Sequence, residues 1–417
     1  MDAPLRRRAA RRRPPSPAGA DRGGSGGTVL ARAGFVSPAL DRRRFLILAG
    51  GAAAYSALRP HLALARRAAA WRGGLQPWSL PSDPPANPID LARALVGAAV
   101  LAPSHWNAQP WRFEVEGNLI RMVADPARAL PATDPDRRAM MIGLGAALEN
   151  LLIAARAWGL QPTVEYFPNG AAHEVVASVS WTEGGPRRDR GLFGAMTERR
   201  TNRRDFDGRG IYPQNRSQLL AQISGDYMLH WLDDREPLRA LADLAYDAAR
   251  AQSEDHRAAL EQVRWMRDDD GDARRRGDGI PVGALEYPGL AHWMPGRAFN
   301  PDSWFHRFGV GSAARQARNG VRSAGAAVLI TATRRGQPTW LAGGQAYQRL
   351  ALKATQLGIA HQPISAPIEV ERARGDLMRR FGAPGEEPLL LVRLGHASPP
   401  PPSVRRAVSV VATFRNS

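Results

Sequence analysis

A twenty-residue pattern occurs twice in this chain, and its repetition constrains the fold more than any other feature. The copies are MIGLGAALENLLIAARAWGL at 141–160 and WLAGGQAYQRLALKATQLGI at 340–359, a constant 199 positions apart. Both have apolar residues at the i, i+3, i+4, i+7 spacing of an amphipathic or buried helix. The similarity has two explanations: the copies belong to an internal repeat of two similar halves, or they are unrelated helices that are both rich in alanine. The identical pairs are Gly145 and Gly344, Ala147 and Ala346, Leu151 and Leu350, Ala155 and Ala354, and Gly159 and Gly358.

Strand-like segments surround each copy of the repeat. Around the first, WRFEVEGNLIRMVAD alternates as a hairpin that turns at Gly117-Asn118, and HEVVASVSWT alternates as a further strand. Around the second, GAAVLITATR and PLLLVRLGHA are continuous apolar runs typical of buried strands. We therefore predict an α+β fold of two similar halves, 80–198 and 199–417, each with a sheet and long helices.

The segment 264–310, within the second half, has no period and predicts a long loop with short helices. Loops of this length are usually functional lids or disordered. Its aromatic residues favour a packed lid, and they are Tyr287, Trp293, Phe299, Trp304 and Phe305.

The net charge of +18 is concentrated at the start of the chain, since 1–72 holds fifteen arginines and three aspartates. No groove-reading or base-stacking motif accompanies this charge, so a nucleic-acid partner is not predicted. The 417 residues include no cysteine, which excludes disulfides, cysteine-ligated zinc, iron–sulfur clusters and thiol catalysis.

The N-terminal region contains the parts of an export signal in the expected order: basic residues, an apolar stretch and a cleavage site. Arg42 and Arg43 precede an apolar stretch of about 13 residues, too short for a bilayer span of about 20. The small residues of Ala63-Leu64-Ala65 then fit a cleavage site. The segment 42–65 resembles a twin-arginine signal peptide, behind a disordered leader at 1–41. The alternative is an arginine-rich tail before a buried helix, which leaves the protein in the cytoplasm.

Three polar clusters are candidates for chemistry. The sequence has no H-x-H or H-E-x-x-H motif, and no G-x-S-x-G elbow joins a strand to a helix, so neither a histidine metal site nor a hydrolase elbow is predicted. The clusters are PSHWNAQPW at 103–111, TERRTNRRDFD at 197–207 and SPPPPSVRRAVSVV at 398–411.

Each cluster has a structural and a functional interpretation. In the first, prolines fix an ordered loop between a helix and a strand, and Pro110 moves Gln109 out of the helical region. That loop is either a corner anchored by its tryptophans or a binding site. The second cluster is either a solvated arginine run or a phosphate grip, because guanidinium groups bind phosphate bidentately. The third is a solvated linker or a basic pair behind a rigid polyproline spacer.

Taken together, the clusters resemble the nitroreductase superfamily, and more closely its fused-dimer branch, the Acg-like FMN-binding proteins. Nitroreductases are homodimers with FMN at the subunit interface. One subunit supplies an R-x-S-x-[RK] motif and a C-terminal basic pair, and the other a P-S-S-x-N-x-Q-P-W loop. Here the loop motif survives only in the first half, and the arginine motif and basic pair only in the second. In the family, the arginine motif and the basic pair bind the FMN phosphate. This chain has one extra residue before Phe206, so both Arg203 and Arg204 are candidates for that contact.

The resemblance implies one FMN site between the halves, with no catalytic side chain and no metal. It implies a monomeric oxidoreductase that takes hydride from NAD(P)H or another donor and passes it to a nitroaromatic or quinone. The alternatives are a non-enzymatic protein that stores FMN and an exported scaffold without cofactor. The predicted cofactor-binding residues are Pro103, Ser104, His105, Asn107, Gln109, Arg199, Thr201, Arg203, Gln362, Arg405 and Arg406.

Overall fold

Two main β-sheets organise the part of the chain that the structure describes, and each holds strands from one predicted half, except for one edge strand of the first sheet. The structure is a computed structural model that describes residues 78–223, 225–286 and 298–415. The predicted leader at 1–41 and signal peptide at 42–65 lie outside the described residues. The mixture of sheets and long helices confirms the α+β prediction.

The helices lie between and around the two sheets. They are α1 (Pro88–Ala99), α2 (Arg138–Ala157), α3 (Arg190–Ala195), α4 (Pro213–Leu220), α5 (Arg235–Glu254), α6 (His256–Trp265), α7 (Asp270–Arg276), α8 (His306–Arg322), α9 (Gln337–Gln356), α10 (Ala366–Glu369), α11 (Glu371–Phe381) and α12 (Val408–Val411). Short 3₁₀ turns occur at His105–Asn107, Pro126–Arg128 and Val282–Ala284.

The strands form two main sheets and a two-stranded ribbon. They are β1 (Trp111–Glu116), β2 (Leu119–Ala124), β3 (Gln161–Tyr166), β4 (Val175–Thr182), β5 (Tyr227–Leu232), β6 (Met266–Arg267), β7 (Ile280–Pro281), β8 (Ala326–Ala332), β9 (Ala360–Pro363), β10 (Glu387–Gly395) and β11 (Ala412–Arg415). The first sheet has the order β11-β1-β2-β4-β3, the second β5-β8-β10-β9, and β6 pairs with β7.

The first sheet contains the predicted hairpin. Strands β1 and β2 are antiparallel and join at Gly117, whose φ of 57° a glycine adopts without strain. Strand β11 pairs in parallel with β1, with Phe113 opposite Ala412. The last described strand of the chain therefore belongs to the sheet of the first half, although its sequence position lies in the predicted second half.

The second sheet is covered by helices on both faces, which explains its continuous apolar strands. Every residue of β8 is buried. Ala327 and Leu329 pack into the cluster that contains α5 and α11 residues, whereas Val328 and Ile330 pack into the cluster that contains α9 residues. Because side chains alternate along a strand, a sheet covered on both faces needs apolar residues at every position.

Helices α2 and α9 are the two copies of the repeat, and they pack against each other through glycines. Their bounds differ by the same 199 positions at both ends. A Cβ atom on Gly145 would overlap the carbonyl oxygen of Leu341, and one on Gly344 would overlap that of Ile142. These contacts are reciprocal, because Ile142 and Leu341 are themselves equivalent in the repeat. Such exchange of equivalent contacts is the property of an isologous interface.

Polar contacts across the two helices are reciprocal too. Arg349 Nη1 donates to Glu149 Oε1 at 3.0 Å, and Gln348 Nε2 donates to Asn150 Oδ1 at 2.7 Å. The two pairs are equivalent in the repeat, because Gln348 lies 199 positions after Glu149 and Asn150 lies 199 positions before Arg349. The helices end alike as well, since Gly159 and Gly358 follow them with φ of 78° and 69°. The two glycines therefore end both helices with the same left-handed cap.

Helix α2 is also the one described helix that is long and apolar enough to cross a membrane. Of its most apolar stretch, 94% is buried inside the protein. Its composition is therefore that of a core helix here.

The predicted lid segment contains short elements in its described part. After Trp265, the strands β6 and β7 flank α7, and α8 begins within the predicted segment, at His306. Phe299 is buried with Ile280 and Leu285, whereas Trp304 is 66% exposed. Tyr287 and Trp293 lie outside the described residues.

Candidate functional site

The loop between α1 and β1 combines the two interpretations that the sequence left open. Trp111 is fully buried in the core of the first half, as a structural corner requires. Trp106, Asn107 and Gln109 have φ values of 49°, 55° and 53°, which non-glycine residues seldom adopt. Gln109 is thus outside the right-handed helical region, as predicted for a residue before proline. Three strained residues so close together are typical of a functional loop.

A cavity of about 250 Å³ opens beside this loop and between the two halves. The first half contributes the loop and the start of α2, and the second half contributes the arginine motif, β9, β10, α5 and α8. Of the predicted site residues, those that line the cavity are Pro103, Ser104, His105, Thr201, Arg203 and Gln362. The loop motif and the arginine motif therefore meet at one cavity, although about 95 residues separate them in sequence.

The arginine motif reaches the cavity because it lies along β9. Thr201 forms a parallel bridge with His361, and Asn202 N donates to His361 O at 3.0 Å. Arg203 lines the cavity, whereas Arg204 Nε contacts Glu286 Oε1 at 3.3 Å outside the cavity lining. Of the two candidates for the phosphate, the structure therefore places Arg203 at the cavity.

Arg393 holds this turn in place, and the sequence prediction missed it. Its guanidinium donates to Arg204 O at 2.7 Å and to Gln362 Oε1 at 2.7 Å. The guanidinium carbon also lies 3.9 Å from the centre of the Phe206 ring. Burial lowers the pKa of Arg393 to about 9. The sequence did contain a signal for Arg393, since it is a single arginine within the apolar strand PLLLVRLG. A buried charge in such a strand needs hydrogen-bond or charged partners.

Arg199 and Arg405 form a buried cationic cluster next to the end of α1. Both guanidinium groups donate to Leu101 O, at 3.5 and 3.2 Å. Their Nε atoms are buried without a hydrogen-bond partner. Arg200 and Arg405 also lie 4.4 and 4.9 Å from the ring centre of Trp78. Burial lowers the pKa of both Arg199 and Arg405, and their neighbouring cations lower it further.

His361 and Tyr347 lie between the cationic cluster and the cavity. Tyr347 lines the cavity, and its hydroxyl lies 3.5 Å from His361 Nδ1. Burial, together with Arg199, lowers the pKa of His361 to about 3, and burial raises the pKa of Tyr347 to about 12. The Nε2 atom of His361 is buried and has no hydrogen-bond partner. The charge and the unpaired atoms together describe a site for an anion.

Asn107 and Gln109 do not line the cavity; they fasten other segments to the loop. Asn107 Nδ2 donates to Gly279 O at 3.0 Å, and Gln109 Nε2 donates to Gly277 O at 2.8 Å. Asn107 Oδ1 accepts from Arg405 Nη1 at 2.9 Å. Although both were predicted to bind the cofactor, these contacts direct their amides towards the 277–279 turn and the C-terminal segment.

Arg406 also lies away from the cavity lining. Its backbone N–H donates to Gln109 Oε1 at 2.8 Å, and its Nη1 lies 3.9 Å from Asp125 Oδ2. The predicted basic pair is therefore divided, with Arg405 in the cationic cluster and Arg406 on the other side of the loop.

Opposite the arginine motif, the cavity has a second polar region around His105. His105 Nδ1 lies 3.2 Å from Glu369 Oε1, and Gln252 Nε2 donates to Glu369 Oε2 at 2.5 Å. All three residues line the cavity. No sequence motif pointed to Glu369 or Gln252, since they come from α10 and α5 and meet His105 only in the fold. Among the described residues, no cluster of histidine and acidic side chains could hold a metal ion.

Comparisons with known proteins agree with the motifs. No family model matches the chain. Two candidate NAD(P)H nitroreductases of Mycobacterium tuberculosis are similar to it. One is 27% identical over 335 residues, covering 78% of this chain and 92% of that protein. The other is 28% identical over 339 residues, covering 78% of this chain and 96% of that protein. These matches support a place for the chain in the nitroreductase superfamily.

Among solved structures, a nitroreductase with bound FMN from Bacteroides fragilis aligns with 50% of this chain and 88% of its own. The identity is 15% and the TM-score is 0.29, a score too low to establish a shared fold.

Proposed function

We propose that this chain is an FMN-dependent oxidoreductase of the nitroreductase type. It passes hydride from NAD(P)H or another donor to an electron-poor acceptor, such as a nitroaromatic or a quinone. The observation that carries the proposal is the cavity itself, which is lined from one half by Ser104 and His105 and from the other by Thr201 and Arg203. The names of the two mycobacterial relatives support the same activity.

The residues present fit FMN because a cationic cluster with buried unpaired donors lies next to the cavity, although Arg199 and Arg405 are not part of its lining. Arg199 and Arg405 each keep one buried N–H without a partner, and Arg203 lines the adjoining cavity. We assign the phosphate to this side of the cavity, where guanidinium groups supply charge-assisted hydrogen bonds. The bound flavin supplies the redox chemistry, which explains why no nucleophile or metal is needed.

The remainder of the cavity is suited to a flat apolar ring. Ile142, Gly143 and Leu390 line it, and a Cβ atom on Gly143 would touch Ser104 Cβ at 3.4 Å. Apolar walls exclude water and strengthen the electrostatic contacts of a bound group. In this proposal these walls hold the ring, and Thr201 and Gln362 offer hydrogen bonds to its polar atoms.

We further propose that the halves 80–198 and 199–417 are fused equivalents of the two subunits of a dimeric nitroreductase, so that the protein is a monomer. The reciprocal contacts between α2 and α9 support this proposal. Export by the twin-arginine route is proposed from 42–65 alone. That route carries folded proteins, which suits a chain that binds its cofactor in the cytoplasm.

Storage of FMN is the second candidate function, and one observation favours it. Asn107, Gln109 and Arg128 fasten the 277–279 turn to the loop through hydrogen bonds of 2.8–3.0 Å. Ile280, which directly follows this turn, lines the cavity. A segment held this firmly restricts the entry of a nicotinamide.

Spectroscopy of the purified protein tests both functions. The protein is expected to carry flavin absorbance that bleaches under anaerobic NADH or NADPH and returns when a quinone or nitroaromatic is added. Flavin that no donor bleaches would instead establish storage. A protein that stays colourless after incubation with FMN contradicts both functions. The remaining alternative is then a scaffold protein that binds no cofactor.

A further inference from the structure

The geometry points to His105 as the proton donor of the cavity, a catalytic residue for the acceptor, with Glu369 and Gln252 as its positioning residues. This inference rests on the proposed function for the identity of the reductant. The contacts of His105 themselves do not depend on any cofactor. They are built from three elements, the loop after α1, the helix α5 and the helix α10.

The carboxylate fixes which nitrogen of His105 serves the cavity. Glu369 Oε1 lies 3.2 Å from Nδ1, and the side chains of His105 and Glu369 are only 14% and 5% exposed. A carboxylate at Nδ1 keeps a proton on that nitrogen, orients the ring and stabilises the imidazolium. Gln252 holds the second carboxylate oxygen, so the carboxylate cannot rotate away. The Nε2 atom is therefore left to meet a molecule in the cavity.

Other charged groups lie near His105. From the N-terminal end of α2, Asp134 interacts favourably with a protonated His105, and Arg138 balances part of the acidic charge. Burial raises the pKa of Asp134 and lowers that of Arg138. The ring of Trp106 meets His105 edge-on at 5.9 Å. Held at Nδ1 by the Glu369 carboxylate, the imidazole is placed to act as a general acid towards a molecule in the cavity.

An electron-poor acceptor needs such an acid. A quinone becomes a hydroquinone by gaining one hydride, which the reduced flavin of the proposed function supplies, and one proton. The proton comes from His105: its Nε2–H bond breaks and an O–H bond forms on the quinone oxygen. The neutral imidazole then takes a proton from solvent. A positioned general acid typically accelerates such a step by about 10²–10⁴-fold.

Variants of the FMN-loaded protein test this role. His105→Gln is expected to lower kcat for a quinone at least tenfold and to remove the acidic group from its pH profile, while the Kd for FMN changes less than about threefold. Glu369→Gln is expected to weaken the contribution of the same acidic group to the pH profile. This variant replaces His105→Gln in the test if His105→Gln does not fold. His230→Gln is the matched control. It removes a histidine paired with Glu386 at 2.6 Å on β5, outside the cavity lining, and should change nothing.

Binding of 4-nitrophenol gives a second measurement that needs no turnover. An imidazolium at Nε2 stabilises the yellow nitrophenolate, so its formation in the cavity is expected at a pH at least about one unit below that in solution. This shift should disappear in His105→Gln and persist in His230→Gln, in both the apo-protein and the FMN-loaded protein.

Two results overturn the inference. One is an unchanged pH profile and an unchanged nitrophenolate midpoint in His105→Gln. The other is a Kd for FMN that rises tenfold or more while kcat stays the same, because His105 would then be a cofactor ligand. Failure of the wild-type protein to bind FMN contradicts the proposed function instead, and the apo-protein titration still decides the role of His105.

Discussion

Asn107 Oδ1 accepts a hydrogen bond of 2.9 Å from Arg405 Nη1, which joins the loop of the first half to the C-terminal segment. The Asn107 amide nitrogen also donates to Gly279 O and Val404 O. One buried amide therefore holds three segments that are distant in sequence. Its loss affects both the stability of the protein and the position of Arg405 in the cationic cluster.

Asn107→Ala is expected to lower the free energy of unfolding by about 1–3 kcal/mol, because it leaves buried partners of the amide unsatisfied. It should also weaken FMN binding, since Arg405 loses an acceptor that positions it. Urea denaturation and a fluorescence titration with FMN measure the two effects. The control is Asn319→Ala at an exposed position of α8, which should change neither. Equal stability of the two variants would show that Asn107 does not hold the segments together.

Arg203→Met is expected to weaken FMN binding about tenfold or more, which corresponds to the loss of a charge-assisted hydrogen bond of about 1.5–3 kcal/mol. Arg204→Met is the matched control, because Arg204 pairs with Glu286 outside the cavity lining. Quenching of FMN fluorescence gives both dissociation constants. A larger effect from Arg204 than from Arg203 would contradict the placement of the phosphate.

Gly145→Ala is expected to destabilise the protein by about 1–3 kcal/mol or more, because the added Cβ overlaps the Leu341 carbonyl and forces α2 and α9 apart. Gly97→Ala in α1 is the control. Its Cβ would meet only Leu80 Cδ2, at 3.8 Å, and alanine favours a helix by about 1 kcal/mol. Thermal and urea unfolding of both variants measure the difference. A Gly145→Ala protein as stable as wild type would mean that close approach of the two helices is not required.

His361 is expected to make the apo-protein less stable in acid. Burial lowers its pKa from an ordinary 6.5 to about 3. Between these values the unfolded chain binds a proton that the folded protein does not, so stability falls as the pH decreases from 6.5 towards 3. The loss between pH 6.5 and 5 should be about 2 kcal/mol, at about 1.4 kcal/mol per pH unit.

Urea denaturation of wild type and His361→Gln at several pH values measures this contribution. The variant should show a shallower pH dependence. The control is His256→Gln, since His256 lies at the surface with a side chain 60% exposed and should leave the dependence unchanged. If the free energy of unfolding depended on pH in the same way for wild type and His361→Gln, His361 would not be a neutral buried histidine.

Local sequence patterns were sufficient to predict the elements with strong periodicity. Helices α2 and α9, the β1–β2 hairpin and the buried strands β8 and β10 all lie where apolar spacing placed them. Their sequences carry the signal because each element buries at least half of its own residues. The pairing of β11 with β1 could not be predicted in this way, since a four-residue strand has little pattern of its own.

The site was predictable only where one segment contains a whole motif. The motifs located Ser104, His105 and Thr201 at the cavity. Glu369 had no such signal, because its partnership with His105 arises from the packing of α10 against the loop after α1. Asn107 and Gln109 show the opposite case. Their motif drew attention to them, but in the fold their amides bind backbone groups of neighbouring segments.

The pairing of β11 with β1 also determines when folding of the first sheet can be completed. A chain emerging from the ribosome can form the β1–β2 hairpin early, but the neighbour of Phe113 is Ala412, which is synthesised about 300 residues later. Arg405, only a few residues earlier, arrives equally late. Closing a loop of this length is slow compared with forming local contacts. Assembly of the cationic cluster is therefore a late event in synthesis, and a chain truncated or stalled before Arg405 lacks both the edge of its first sheet and part of its anion site.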